Sequence, residues 1–135
     1  MKHHPGEISF PGGKVENGEG YFEAAKRETI EEINCVVTQK LGTLKPVMTL
    51  VSNHLILPFI AFIDIQKLTL NKDEVEAVFS TPLDAFLKTK MRKKRFSHRK
   101  IFITTPVWDF QEFYAWGATG RILFDFKNWL KKHQI

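Results

Sequence analysis

The chain has 135 residues, 43% of them hydrophobic, which is enough for one domain with a real core, so a single unit over residues 1–135 is expected. No run of about eighteen apolar residues occurs and the opening MKHHPGEISF has no apolar h-region, so a helical membrane span and a secretory leader are unsupported and the cytoplasm is the expected location. The net charge of +5 is unevenly placed: Lys88 to Lys100, KTKMRKKRFSHRK, holds eight Lys or Arg residues and no acid, which suits either an anionic partner or a solvated loop or exposed strand.

In chain order, EISFPGG reads as a short strand ending in a turn, because Ile8 and Phe10 alternate with polar residues and Pro11-Gly12-Gly13 cannot continue a ladder. A helix is expected from near Tyr21 to about Ile33. Cys35, the only cysteine, has apolar neighbours and reads as a small buried hydrophobe. CVVTQKLGTLKPV and HLILPFIAFIDIQ are rich in β-branched and aromatic residues and suit strands, with Pro58 marking an edge or a bulge. STPLDAFLKT reads as a short helix capped by Ser80 or Thr81, with Pro82 at its first position. Two further strands, KIFITTPVWDF and EFYAWG, precede an amphipathic closing helix whose last turn carries Lys131, Lys132 and His133, matching the helix dipole. Strands mixed with helices in this order give an α/β unit.

The first helix crowds like charges. With Phe22 at zero on a helical wheel, Ala25, Thr29 and Ile33 fall within roughly 60° and form the expected buried stripe. Glu32 then falls at about 280°, Glu28 at about 240° and Glu31 at about 180°, beside one margin of the stripe. Like charges at these spacings each cost about 0.2 to 0.5 kcal/mol, and more when part-buried. Arg27 and a bound divalent cation are the two available neutralisers. Carboxylate oxygens suit Mg²⁺ or Mn²⁺, which add waters and substrate phosphates to one or two protein ligands. Gly12 and Gly13 allow close backbone approach before the helix, so a main-chain carbonyl there is a further donor.

Gly13, Glu19, Arg27-Glu28 and Glu31-Glu32 are spaced as in the box G-x5-E-x7-R-E-U-x-E-E-x-G-U, where U is bulky and apolar, and the segment resembles the Nudix family. Asn34 stands where the box has its last glycine, a mild departure because Asn also tolerates a left-handed helix cap. GEISFPGGK is similar to the signature of the coenzyme A pyrophosphatase branch: Gly6 and Phe10 to Gly13 match, and Lys2 stands at an arginine position. DEVEAVFSTPLDAFL and FYAWGATGRIL are also similar to this branch.

The resemblance implies an α/β/α sandwich with a mixed β-sheet and metal-dependent hydrolysis of a pyrophosphate bond. Coenzyme A or an acyl-CoA is the implied substrate, cut to adenosine 3′,5′-bisphosphate and phosphopantetheine. By position, Glu28 and Glu32 are implied metal ligands, Glu31 a further ligand or the group orienting water, and Gly12 a carbonyl ligand. Arg27 would hold the glutamates, Glu19 would brace the turn, and a base outside the box would come from Asp73, Glu74 or Glu76. Lys2, His4, Gly6, Phe10, Gly13, Arg92 and Arg95 are expected on the substrate side, and charge alone suggests that the basic run Lys88 to Lys100, with Arg92, Lys93, Lys94 and Arg95, meets the 3′-phosphate. Trp108, Phe110, Phe113, Tyr114 and Trp116 are either adenine-stacking or core residues. Family members place a strand before the position of Met1, so a first strand is expected to be missing, and the exposed edge would favour strand exchange in a homodimer. Other substrates in the family are ADP-ribose and nucleoside triphosphates. A noncatalytic module binding nucleotide or RNA through the basic run is the alternative of another class.

Overall fold

A computed structural model describes residues 6–49 and 52–133, with His98 described by its backbone alone. The chain divides into two compact units, one of residues 10–44 and 57–79, the other of residues 6–9, 45–56 and 80–133 among those described.

In the first unit the expected helix is α1, Tyr21–Ile33. It stops at Asn34, which takes the left-handed conformation (φ 55°, ψ 39°) and donates its N–H to the Ile30 carbonyl. A residue that tolerates positive φ at this place ends the helix as the glycine of the box would. Strand β1 (Val36–Thr43) follows and pairs antiparallel with β4 (Phe59–Asp64), with irregularities between Val37 and Gln39 and between Lys40 and Gly42. Phe22 of α1 meets Phe59 of β4 edge-on, ring centroids 5.1 Å apart. Thr29 and Ile33 are buried as the wheel requires, whereas Phe22 and Ala25 are half-buried and Ala24 is buried instead. Ala24 shares its side of α1 with Glu28, four residues on, so the helix is covered on its carboxylate margin as well as on its apolar stripe.

In the second unit, β2 (Val47–Met48) pairs with β3 (Leu55–Ile56), and a short α2 (Leu83–Lys88) precedes a three-stranded sheet. Its strands are β5 (Met91–His98), β6 (Ile101–Phe110) and β7 (Phe113–Ala115), all antiparallel. The basic run is therefore an exposed strand. The EISF strand contracts to a single parallel bridge between Glu7 and Tyr114, and this bridge makes the pairing mixed. Ile8 donates to the Tyr114 carbonyl and Tyr114 to that of Gly6, after which the chain leaves the sheet before Pro11. Ser80 and Thr81 do not cap α2: Pro82 holds the cap position, and Asp84 accepts the Ala85 N–H.

Helix α3 (Gly117–His133) packs on β6. Phe86, Trp108, Ala115, Leu123 and Leu130 form the core there, so Trp108 is a core residue. Its indole N–H donates to the Gly120 carbonyl at 2.9 Å, which satisfies the polar atom of a fully buried ring. A Cβ on Gly120 would lie 2.3 Å from the backbone oxygen of Pro106, so only glycine lets α3 approach β6 this closely. Gly120→Ala is expected to destabilise the chain by about 1 to 3 kcal/mol through overpacking against rigid backbone. Chemical denaturation measures it, and an unchanged midpoint would mean that helix and strand are not held at this distance.

Candidate functional site

The site in the first unit is organised by hydrogen bonds at both ends of α1. At the N-terminal end Arg27, 23% exposed by its side chain, reaches back over the preceding loop. Its Nε donates to Glu19 Oε2 at 2.8 Å, Nη1 to Glu28 Oε1 at 2.8 Å and to Glu31 Oε2 at 3.2 Å, and Nη2 to the Lys14 carbonyl at 3.0 Å. Glu16 adds an ion pair to Nη1 at 3.6 Å and donates its N–H to Glu19 Oε1. These bonds push the Arg27 pKa up, and the guanidinium holds the Glu19 carboxyl below the ordinary carboxylate range.

Glu32 is treated differently. No Lys or Arg pairs with it among the described residues, and its one partner is the Gly12 N–H, 2.9 Å from Oε1. Its pKa is raised above the ordinary 4.5, chiefly by desolvation and then by the charges of Glu28, Glu74 and Glu31, against the lowering effect of the Gly12 bond. Gly13 lies against Glu28: a Cβ there would be 2.6 Å from the Glu28 carboxyl carbon. Any larger residue would displace the carboxylate that Arg27 holds.

At the other end of α1 the last carbonyls have no partner within the helix. The loop after β4 supplies them, since Thr69 N–H donates to Ile33 O at 3.0 Å and Asn71 N–H to Glu32 O at 2.9 Å. Asn34 Nδ2 bonds the Lys67 carbonyl, and Glu74 N–H and Val75 N–H both donate to Asn71 O. This clamp brings Glu74 to the helix. One carboxylate oxygen from each of Glu28, Glu32 and Glu74 lies within 4.8 Å of the others. Glu28 and Glu32 are half-buried and Glu74 is exposed, a set of hard oxygen donors that fits a divalent cation such as Mg²⁺ or Mn²⁺.

The remaining expected site residues divide by location. Glu31 is exposed and tied to Arg27, outside the three-carboxylate group. The interaction that Gly12 shows is through its N–H; Phe10 is 48% exposed. Lys2 and His4 lie outside the described residues. In the second unit Gly6 (φ 81°) shapes the bridge to Tyr114, with the Glu112 carbonyl 2.6 Å from where a Cβ would stand. Arg92 forms a two-pronged ion pair with Asp109, at 2.7 and 3.3 Å, and Arg95 lies over the Phe102 ring at 4.6 Å. Reading the sequence missed Asp109 and Glu16; Glu16 had a local signal, standing three residues before Glu19.

The NUDIX domain model matches residues 1–102, and the chain belongs to the Nudix hydrolase family. It is 35% identical over 119 residues to Nudix hydrolase 3 of Caenorhabditis elegans, covering 84% of this chain and 49% of that protein. It is 32% identical over 133 residues to an uncharacterized Nudix hydrolase, NudL, of Pectobacterium atrosepticum, covering 91% and 66%. The human mitochondrial coenzyme A diphosphatase NUDT8 is 32% identical over 129 residues, covering 88% of this chain and 53% of that protein. The chain thus spans between about half and two thirds of the length of these relatives. No solved structure matches it. No helix among the described residues is long and apolar enough to cross a membrane.

The raised Glu32 pKa has a testable sign. The folded chain holds this proton more tightly than the unfolded chain, so the group's contribution to stability is present at low pH and is lost as pH rises through its folded value. Glu32→Gln keeps an acceptor for the Gly12 N–H and removes the charge. In chelator, at a pH above the folded-state titration of Glu32, the variant is expected to melt higher than the parent, and Mn²⁺ is expected to raise the melting temperature of the parent alone. A lower melting temperature in chelator would show that the charge at Glu32 is not a cost.

Proposed function

We propose that the chain is a metal-dependent pyrophosphohydrolase acting on a nucleoside diphosphate derivative, with coenzyme A or an acyl-CoA as substrate. The approach of Glu28, Glu32 and Glu74 to within 4.8 Å carries this reading, because among the described residues Glu28 alone of the three has an arginine partner. Nudix hydrolases generally use divalent metals such as Mg²⁺ or Mn²⁺. Glu28 and Glu32 would hold the ion, which when bound neutralises phosphate charge and acidifies water. Arg27 holds the Glu28 carboxylate in place, the Gly12 N–H fixes the rotamer of Glu32, and Gly13 leaves room for Glu28. Glu74, exposed and carried on a loop, is assigned as the proton acceptor. Glu31 orients water from the Arg27 side.

The choice of coenzyme A rests on the Gly6 and Phe10 to Gly13 signature and on the likeness to the human mitochondrial coenzyme A diphosphatase, 32% identical to this chain. The cytoplasm is the proposed compartment.

Phosphopantetheine release from coenzyme A in Mg²⁺ or Mn²⁺, with chelator as control, tests the reaction, and ADP-ribose and nucleoside triphosphates test the choice of substrate. Glu28→Gln is expected to lower kcat at least about 100-fold. Glu74→Gln is expected to lower kcat by about 100-fold while leaving the Mn²⁺-induced rise in melting temperature intact. Loss of that rise would make Glu74 a metal ligand instead of a base, and full turnover by Glu28→Gln would remove the carboxylate group from the reaction.

A further inference from the structure

The three-stranded sheet of the second unit has two unlike faces. Alternation along a strand puts Met91, Trp108 and Ala115 on the side of the α3 core, and Arg92, Lys94 and Phe96 on the other. Register carries that second face across the sheet, since Arg92 is opposite Val107 and Asp109 is opposite Tyr114. These residues, with Trp116 just past β7, line a cleft of about 470 Å³. That volume falls within the roughly 300 to 1,000 Å³ of small-molecule sites.

The lining is ordered for an aromatic, anionic guest. Trp116 and Phe96 lie against each other, ring centroids 4.6 Å apart, and the indole N–H is fixed by Glu7 Oε1 at 2.9 Å. Lys94 lies over the Phe96 ring at 5.2 Å and has no carboxylate partner among the described residues. Arg92, by contrast, is matched by Asp109. The cleft therefore offers one uncompensated cation beside a rigid aromatic wall, with buried Val107 as apolar floor. Lys93 and Arg95 alternate to the opposite face and do not line it.

We infer that this cleft binds a phosphorylated purine nucleoside, the base stacked on the Trp116–Phe96 wall and a phosphate ester paired with Lys94. The choice of guest rests on the proposed reaction, whose nucleotide product carries a purine and phosphates at both the 3′ and 5′ positions. Within the basic run the charge that matters is thus set by strand parity: Lys94 contributes and its neighbours Lys93 and Arg95 do not. Arg92, held by Asp109, supports the rim and sets no preference.

Isothermal titration of the full chain in chelator, with adenosine 3′,5′-bisphosphate and with 5′-AMP, tests the inference. The bisphosphate is expected to bind about tenfold more tightly. Lys94→Gln should bring the two nucleotides within about twofold of each other, and Lys93→Gln should leave the difference unchanged. Trp116→Leu should weaken both nucleotides by about tenfold, and Trp116→Phe, which keeps an aromatic face, should restore most of that loss. Equal binding of the two nucleotides, equal losses from Lys93→Gln and Lys94→Gln, or tighter binding of a single-stranded RNA octamer than of the bisphosphate would overturn it. Because no metal is present, the two readings separate. Bisphosphate binding without coenzyme A turnover would keep the cleft and sink the reaction, and turnover without bisphosphate binding would do the reverse.

Discussion

The arrangement depends first on the guanidinium of Arg27. A planar cation with five donors can satisfy several carboxylates at fixed angles, which a lysine ammonium cannot do. Arg27 spends its donors on Glu19, Glu28, Glu31 and the Lys14 carbonyl, and so ties the loop before α1 to the helix itself. The loop cannot drift without breaking charge-assisted bonds, and Gly12 and Gly13 are carried with it onto the carboxylate margin of α1. The same geometry decides which repulsion is relieved within the chain. Glu28 and Glu31 are neutralised from one side, and Glu32, one position further round, is left with a backbone N–H and a raised pKa.

The second determinant is the demand of a helix end for hydrogen-bond partners. The carbonyls of Glu32 and Ile33 are satisfied by N–H groups of Asn71 and Thr69, far along the chain. The residues that follow Asn71 are therefore placed by a helix C-terminus, and Glu74 among them arrives beside Glu28 and Glu32. A backbone requirement thus completes a side-chain constellation, and the third carboxylate sits on a loop whose register is fixed at its start.

What could be read in the sequence follows from the range of the interactions involved. The bounds of α1, its cap at Asn34 and the exposure of the basic strand depend on local spacing and local conformational preference, and they were legible. The burial of Ala24 was not, because a wheel centred on the apolar residues registers hydrophobicity along the helix and not what packs on it from outside. The EISF segment alternates like a strand, yet a ladder needs a partner of matching length, and β7 is three residues long. Of Asp73, Glu74 and Glu76, composition could not say which one would face α1; hydrogen bonds spanning nearly forty residues select it. Arg92 was legible as a charge, but Asp109, the residue that limits its use, is seventeen positions away and adjacent only through the register of β5 and β6.

The net charge of +5 hides a division that makes both halves of the chemistry intelligible. Residues 10–44 and 57–79 carry ten carboxylates against six Lys and Arg residues, whereas the rest of the chain carries five against fourteen. A unit with excess carboxylate lowers the cost of bringing in a cation, and the repulsion concentrated on Glu32 is what such an ion would relieve. A unit with excess Lys and Arg has the opposite preference and attracts a multiply charged anion before any specific contact forms. Within it specificity cannot come from charge, since the basic residues of β5 point to both faces of the strand. It has to come from aromatic surface and from the cation of the cleft that Asp109 does not pair with, and that combination occurs on the face bearing Lys94, Phe96 and Trp116.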